Sequence, residues 1–322
     1  MSLSRFREDN TSRFLAGVVA AFMLTVGLAL PAAAAKAKQK TFATPEEATS
    51  ALVAAVKSDN DRELASLFGP GSRILLFSGD KVADRADRQR FTKACDARNA
   101  VEYTGPDTVV LHIGDQDYSF PIPLVRKGDR WSFDTKAGRE EILNRRIGRN
   151  ERSVIEVLHN YADAQREYAA MDRDADGILE FAQRLISTKG KKNGLYWEVK
   201  EGEKESPFGP LMAKAEQEGY AGKLKADRAE PFHGYYFRVL KAQGKHATGG
   251  AFEYVVKGQM ILGFALVAYP ARYGSSGVMT FIVNQEGVVY EKDLGRETQG
   301  KASAMKKYDP DQSWKKIEEV VK

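Results

Sequence analysis

The stretch Gly263–Leu294, GFALVAYPARYGSSGVMTFIVNQEGVVYEKDL, constrains this chain more than any other. Two β-rich apolar runs, Phe264–Tyr269 and Val278–Val283, flank a turn cluster, Ala271–Gly277. A third run, Val288–Tyr290, follows a turn at Asn284–Gly287. Val, Ile, Phe and Tyr bounded by Gly, Ser and Asn predict a β-meander. The meander is a scaffold signal and names no chemistry.

The N-terminus reads as an address. Arg5, Arg7 and Arg13 precede an apolar run, Phe14–Leu30, that ends in Pro31 and four alanines. A basic start, an apolar middle and a small-residue exit predict a secretory signal peptide over 1–35. The alternative is an uncleaved anchor, since the run is near the lower length limit for a spanning helix. Export places the protein in the periplasm or outside the cell. The whole chain of 322 residues has a formal net charge of +5. Three arginines and two acids leave with the leader, so the remainder is near +4. That modest, dispersed excess does not make a nucleic-acid footprint. Weak attraction to anionic lipid, glycan or cell wall fits it better. Cys95 is the single cysteine, so no internal disulfide forms in an oxidising compartment. It reads as a small buried apolar group.

After a basic linker, 36–43, the run Thr44-Pro45-Glu46-Glu47 opens a helix with Thr as cap and Pro at the first position. Ala48, Ala51, Leu52, Ala55 and Val56 form its apolar stripe. Further helices are expected at Arg62–Phe68 and Asp87–Ala97. The period then changes. Thr108–Ile113, Tyr118–Val125 and Arg130–Asp134 predict strands, the middle one weakened by Pro121 and Pro123. Helices followed by a curved sheet over 44–137 resemble the cone-shaped NTF2-like fold.

Gly138–Ile147 and Asn150–Met171 predict two helical stretches, with Gly148 a break and 138–149 a charged connector. In the longer one, Val154, Val157, Leu158, Tyr161, Ala164, Gln165 and Tyr168 share a largely apolar face. Arg139, Arg145, Arg146, Arg149 and Arg152 interleave with Glu140, Glu141 and Glu151. They predict a salt-bridge-laced hinge or an anion-binding cluster.

The acidic run Asp172-Arg-Asp174-Ala-Asp176-Gly177-Ile178-Leu179-Glu180 is the sharpest motif. Oxygen ligands at alternate positions with Gly sixth suit a hard cation, calcium above all. Asp172, Asp174, Asp176, the Ile178 carbonyl and Glu180 are the candidate ligands, with a helix expected at Phe181–Ile186. The twelfth position is Gln183, where such a loop carries Glu. The competing reading is an Asx-rich turn.

Beyond it come a helix, Leu211–Glu218, a strand, Gly234–Leu240, another at Phe252–Val256, the meander, and a polar tail. The long helix with a terminal antiparallel sheet over 150–322 resembles type IV pilin and pseudopilin head domains. Ala164-Gln165-x-x-Tyr168, Asp174-x-Asp176-Gly177, Gly234-Tyr-Tyr-Phe237 and the Gly277–Gly287 hairpin carry that likeness. It implies a structural calcium. The helix here is internal and polar, unlike a prepilin N-terminus. The expected class is therefore α+β: an NTF2-like helix-plus-curved-sheet domain, then a long helix and a pilin-like antiparallel sheet domain.

A wider likeness rests on TFATPEEA, the run Ala83-Asp-Arg to Arg90-Phe91, FPIPLVRKGDRWSFDTKAGREEILNRRIGRNE, YADAQREYAAMDRDADGILEFAQR and GSSGVMTFIVNQEGVVYEKDLG. Together they resemble the bacterial domain of unknown function 2950 family over nearly all of Thr41–Trp314. The resemblance implies an exported bacterial protein and transfers no activity.

No catalytic constellation emerges. His112, His159, His233 and His246 lack metal spacing, and Gly274-Ser-Ser-Gly277 lies between strands, where a nucleophile elbow needs a strand and a helix. The expected function is a non-catalytic binding or assembly protein of the cell envelope, its partner an envelope protein, a peptide or a glycan. The alternatives are an envelope hydrolase with paired carboxylates in the first-domain pocket and a calcium-stabilised pilin-like module. Glu140 with Glu141, or Asp163 with Glu167, are the carboxylate pairs the sequence offers.

Overall fold

Thr44 starts the first helix as its sequence requires: its Oγ1 accepts from Glu47 N at 3.2 Å, while Glu47 reaches back to Ala43 N at 3.0 Å. The computed structural model describes residues 38–220 and 230–318, so the segment read as a signal peptide lies outside the described residues. Four helices come first: α1 (Pro45–Lys57), α2 (Asp61–Phe68), α3 (Arg73–Leu76) and α4 (Lys81–Ala97). Asp80 caps α4 through Val82 N and Ala83 N, so that helix begins six residues before the expected Asp87.

The strands β1 (Asn99–Gly105), β2 (Thr108–Ile113), β3 (Tyr118–Ser119), β4 (Leu124–Lys127) and β5 (Arg130–Phe133) form an antiparallel sheet. Its order is β1-β2-β4-β5, with β3 also on β2. Pro121 and Pro123 split the expected strand 118–125 in two, because neither can donate to a ladder. The β1 strand was not expected, since Glu102, Tyr103 and Thr104 face outward and leave it without an apolar alternation.

One helix, α5 (Thr135–Ala169), runs unbroken for 35 residues. Gly148 is neither a break nor a hinge: it keeps helical geometry inside α5, so the connector 138–149 is the first part of a single rod. A lone glycine costs a helix about 1 kcal/mol, too little to end one held by packing at both ends. The seven residues expected on one face of its C-terminal half are all buried.

After α6 (Gly209–Ala215) come β6 (Tyr235–Leu240), the short strands β7 (Ala242–Gln243), β8 (Phe252–Glu253), β9 (Val255–Val256) and β10 (Gln259–Met260), then β11 (Ala265–Pro270), β12 (Met279–Asn284) and β13 (Tyr290–Asp293). A helix, α7 (Thr298–Ala304), precedes β14 (Lys315–Lys316). The main sheet has order β14-β13-β12-β11-β6, all antiparallel, so the meander lies at its centre. Every residue of β11 is buried because α5 and α7 both pack on it. The fold is α+β.

Each sheet has its own core. Leu52, Leu64, Leu67, Leu111, Ile122 and Phe133 centre the first; Tyr161, Tyr168, Phe264, Leu266 and Phe281 centre the second. The turn Ala271–Gly277 reaches the first half: Ser275 Oγ donates to Ile74 O at 3.0 Å and Arg272 Nη1 to Phe77 O at 2.9 Å. Ser275 and Ser276 are fully buried there. No helix among the described residues is long and apolar enough to cross a membrane.

Candidate functional site

The five arginines singled out on α5 have different surroundings. Arg139 and Arg152 are exposed. Arg145 pairs with Glu141 one turn back and covers the Tyr118 ring at 5.1 Å from its centroid. Arg149 grips both oxygens of Asp87 at 3.1 and 3.0 Å, and Arg90 holds the same carboxylate. Arg146 is only 9% exposed and donates to the carbonyls of Ile74 (3.1 Å) and Leu75 and to Ser275 Oγ (3.4 Å). Burial pulls its guanidinium below the usual arginine range, against the attraction of Asp84 and Asp87.

Arg145, Arg146 and Arg149 share the wall of a cavity of about 510 Å³. Its floor is apolar: Leu52, Val56 and Leu64 from the first two helices, Phe91 from α4, Phe120 and Ile122 from the proline-split strand, and Ile142 from α5. Phe91 and Phe120 meet edge to face at 5.5 Å between centroids. Gly138 lets α5 close on this sheet, since a Cβ there would overlap the Pro121 carbonyl and Ile122. The volume lies within the ~300–1,000 Å³ usual for small-molecule sites.

Two acids, Asp84 and Asp87, line the same space. Asp84 accepts from Ser78 N at 3.1 Å with each oxygen. Burial nevertheless pushes its carboxyl above the usual 3.8, with the Ser78 bonds and Arg146 pulling the other way. Asp87 is held between two guanidiniums. The sequence reading named neither acid as a site residue. Asp84 lies before the helix expected from Asp87, and only the approach of α4 to α5 brings both acids to a cavity.

The carboxylate pairs offered by the sequence lie elsewhere. Asp163 pairs with Arg166 at 2.7 Å and Glu167 with Lys204 at 3.1 Å, on the exposed side of α5. Cys95 is buried, and burial raises its thiol to about 11, which suits an inert packing group.

The acidic loop brings Asp172, Asp174 and Asp176 together: one oxygen from each lies within 4.8 Å of the others, all three exposed. Part of this arrangement is an Asx turn. Asp172 accepts from Ala175 N and Gly177 N, each at 2.8 Å, and these bonds hold its carboxyl below the usual 3.8. Asp176 accepts from Ile178 N at 2.9 Å and is met by Gln259 of β10. Glu180 is raised by partial burial and by the three aspartates. The expected helix at Phe181–Ile186 is absent; that segment is irregular and is tied to β10 by Phe181 N to Met260 O at 2.8 Å. Gln183 bonds Gly258 O and Lys241, which removes it from the loop. The three converging carboxylates are oxygen donors of the hard type calcium takes, without the second helix of an EF-hand.

Two antiparallel sheets on one long helix, with a basic-rimmed apolar cavity beside the first, define an α+β protein with a small-molecule-sized pocket. The chain matches the family model "Protein of unknown function (DUF2950)" over residues 39–317. It belongs to that family. No curated protein and no solved structure matches it.

Proposed function

We propose that this protein is a non-catalytic binding protein of the bacterial cell envelope, exported by its first 35 residues and working in the periplasm or outside the cell. The cavity between the first sheet and α5 is its ligand site, and the NTF2-like reading of 44–137 supports a ligand-holding cone. The observation that carries this is the cavity itself: about 510 Å³, floored by aliphatic and aromatic side chains. Pockets of this make, with a few polar groups at the edge, hold small molecules. Residues 150–322 then serve as the face toward an envelope protein, peptide or glycan. An envelope hydrolase would need a free acid and base, whereas Asp87 is held by two arginines and both oxygens of Asp84 accept from Ser78 N. The test is mass spectrometry of organic extracts from the protein purified from an envelope fraction, beside an Ile142→Trp variant that fills the cavity. A small molecule carried by the native chain and lost from the variant supports the reading. Turnover of cell-wall material lost in Asp84→Asn overturns it.

A second reading, favoured by the convergence of three carboxylates in the acidic loop, is that calcium stiffens the second half. Thermal melts with calcium and with a chelator test it. A midpoint raised by calcium in the native chain and unmoved in Asp174→Ala supports it, and identical melts count against it.

A further inference from the structure

We infer that the cavity takes an amphiphile with a single aliphatic tail and an anionic head, the tail on the apolar floor and the head at Arg90 and Arg149. This deepens the binding reading above and rests on it. The charge balance at the mouth carries the inference. Asp87 is the one carboxylate that both Arg90 and Arg149 contact, so two guanidiniums share one negative charge and one positive charge is left over. Both arginines remain roughly half or more exposed at the side chain, 61% and 48%, and so can turn to a second anion. Arg146 lies deeper in the wall, hydrogen-bonded to carbonyls and a hydroxyl, and the Asp84 carboxylate in the same cavity offsets its charge, so the spare charge sits at the mouth. A planar guanidinium binds carboxylate or phosphate through two parallel hydrogen bonds. Arg88 and Arg145 lend no spare charge, because Arg88 is paired with both Asp59 and Asp61 and Arg145 with Glu141.

The floor sets the other end of the ligand. Leu52, Leu64, Phe91, Ile122 and Ile142 present only carbon to the space, which excludes a sugar or a peptide backbone from its interior. An aliphatic chain loses nothing there, and each buried methylene gains affinity. An uncharged apolar ligand would use the floor and leave the arginines idle. A small anion would use the arginines and leave the floor empty. Only a molecule with both parts uses both.

The test is isothermal calorimetry of the delipidated chain with octanoate, decanoate, dodecanoate, dodecyl phosphate and 1-dodecanol. Affinity should rise about fourfold per added methylene until the cavity is full. Dodecanoate or dodecyl phosphate should bind at least about tenfold tighter than dodecanol at low salt, the gap shrinking as ionic strength rises. The carboxylate and phosphate arms identify the head group. Arg149→Gln should cut the preference for the anions severalfold while leaving dodecanol unchanged, and Ile142→Trp should weaken all five. If dodecanol binds as tightly as the anions and Ile142→Trp still abolishes it, the anionic head is wrong and the pocket reading stands. If none of the five binds, both are wrong.

Discussion

The side-chain amide of Gln165 is paired on both sides with the backbone of Ala182: Nε2 donates to Ala182 O and Oε1 accepts from Ala182 N, both at 2.8 Å. Gln165 is fully buried, and its Nε2 also meets Tyr161 Oη at 3.0 Å. One helical side chain thus completes a strand-like pairing for the irregular segment after the acidic loop. Gln165→Leu leaves two buried backbone groups without partners, each costing about 1–3 kcal/mol. Urea unfolding should show a loss of about 2–4 kcal/mol with the slope unchanged. A loss under about 0.5 kcal/mol would mean that water reaches Ala182.

The two glycines at either end of the charged half of α5 should respond oppositely to one methyl group. Gly138 meets the Pro121 carbonyl and Ile122 so closely that a Cβ has no room, whereas nothing lies within 4 Å of a Cβ at Gly148. Gly148→Ala should stabilise the protein by about 0.5–1 kcal/mol, since alanine is the better helix former. Gly138→Ala should destabilise it by about 1–3 kcal/mol through overpacking. Thermal melts of the two variants check this directly. Destabilisation by Gly148→Ala would restore the idea of a bend there.

Much of this architecture was legible in the sequence, and the exceptions have physical reasons. The two central meander strands and the cap at Thr44 follow from local signals, continuous apolar runs bounded by turn residues and a Thr-Pro-Glu start, whereas the third strand begins only at Tyr290, the last residue of the run Val288–Tyr290. The buried face of α5 was legible because Val154, Leu158, Tyr161 and Tyr168 repeat at helical spacing. Gly148 misled because a lone glycine is a weak breaker and packing at both ends overrides it. Phe181–Ile186 looked helical by pattern, yet Gln165 and β10 take its backbone hydrogen bonds first. The cavity was illegible because Phe91, Phe120 and Ile142 come from three elements whose proximity no local pattern encodes. The arginines of α5 were visible as a cluster, while the division of Asp87 between Arg90 and Arg149 appears only in three dimensions.

Asp80 joins the two halves through one carboxylate. Its Oδ1 caps α4, and its Oδ2 accepts from Tyr220 Oη at 2.6 Å and from Gly234 N at 2.9 Å. Asp80→Asn can keep the cap but turns the other atom into a donor facing two donors. The expected cost is about 2–4 kcal/mol, as for a buried charge-assisted bond replaced by a clash of donors. Tyr220→Phe should cost about 1.5–3 kcal/mol. In a double-mutant cycle the two should couple by at least about 1 kcal/mol, since residues in one hydrogen-bond network are not additive. Additive losses would show that the Tyr220 hydroxyl contributes through the bond it accepts from His233 N, at 3.3 Å, and not through Asp80.

His233 should make stability fall on mild acidification. Its backbone sits at φ +50, its ring lies 4.1 Å from that of Phe232, and burial lowers its ring below the usual 6.5. Glu218, with an oxygen 3.2 Å from Nε2, and Asp80 pull the other way without overcoming burial. The folded state therefore binds its proton less readily than the unfolded chain does. The contribution is whole above pH 6.5, is lost progressively as the pH falls below that value, and levels off once the folded ring is itself protonated. Asparagine tolerates the left-handed backbone, so His233→Asn removes the titration and keeps the turn. Urea unfolding of both proteins between pH 8 and pH 5 should give a constant difference above about pH 6.5 and, below it, a native chain that loses stability relative to the variant. A native chain that instead gains on the variant as the pH falls would mean that Glu218 keeps the folded imidazole charged and that the seam beside Asp80 is an ion pair, and parallel curves would mean that burial and Glu218 cancel.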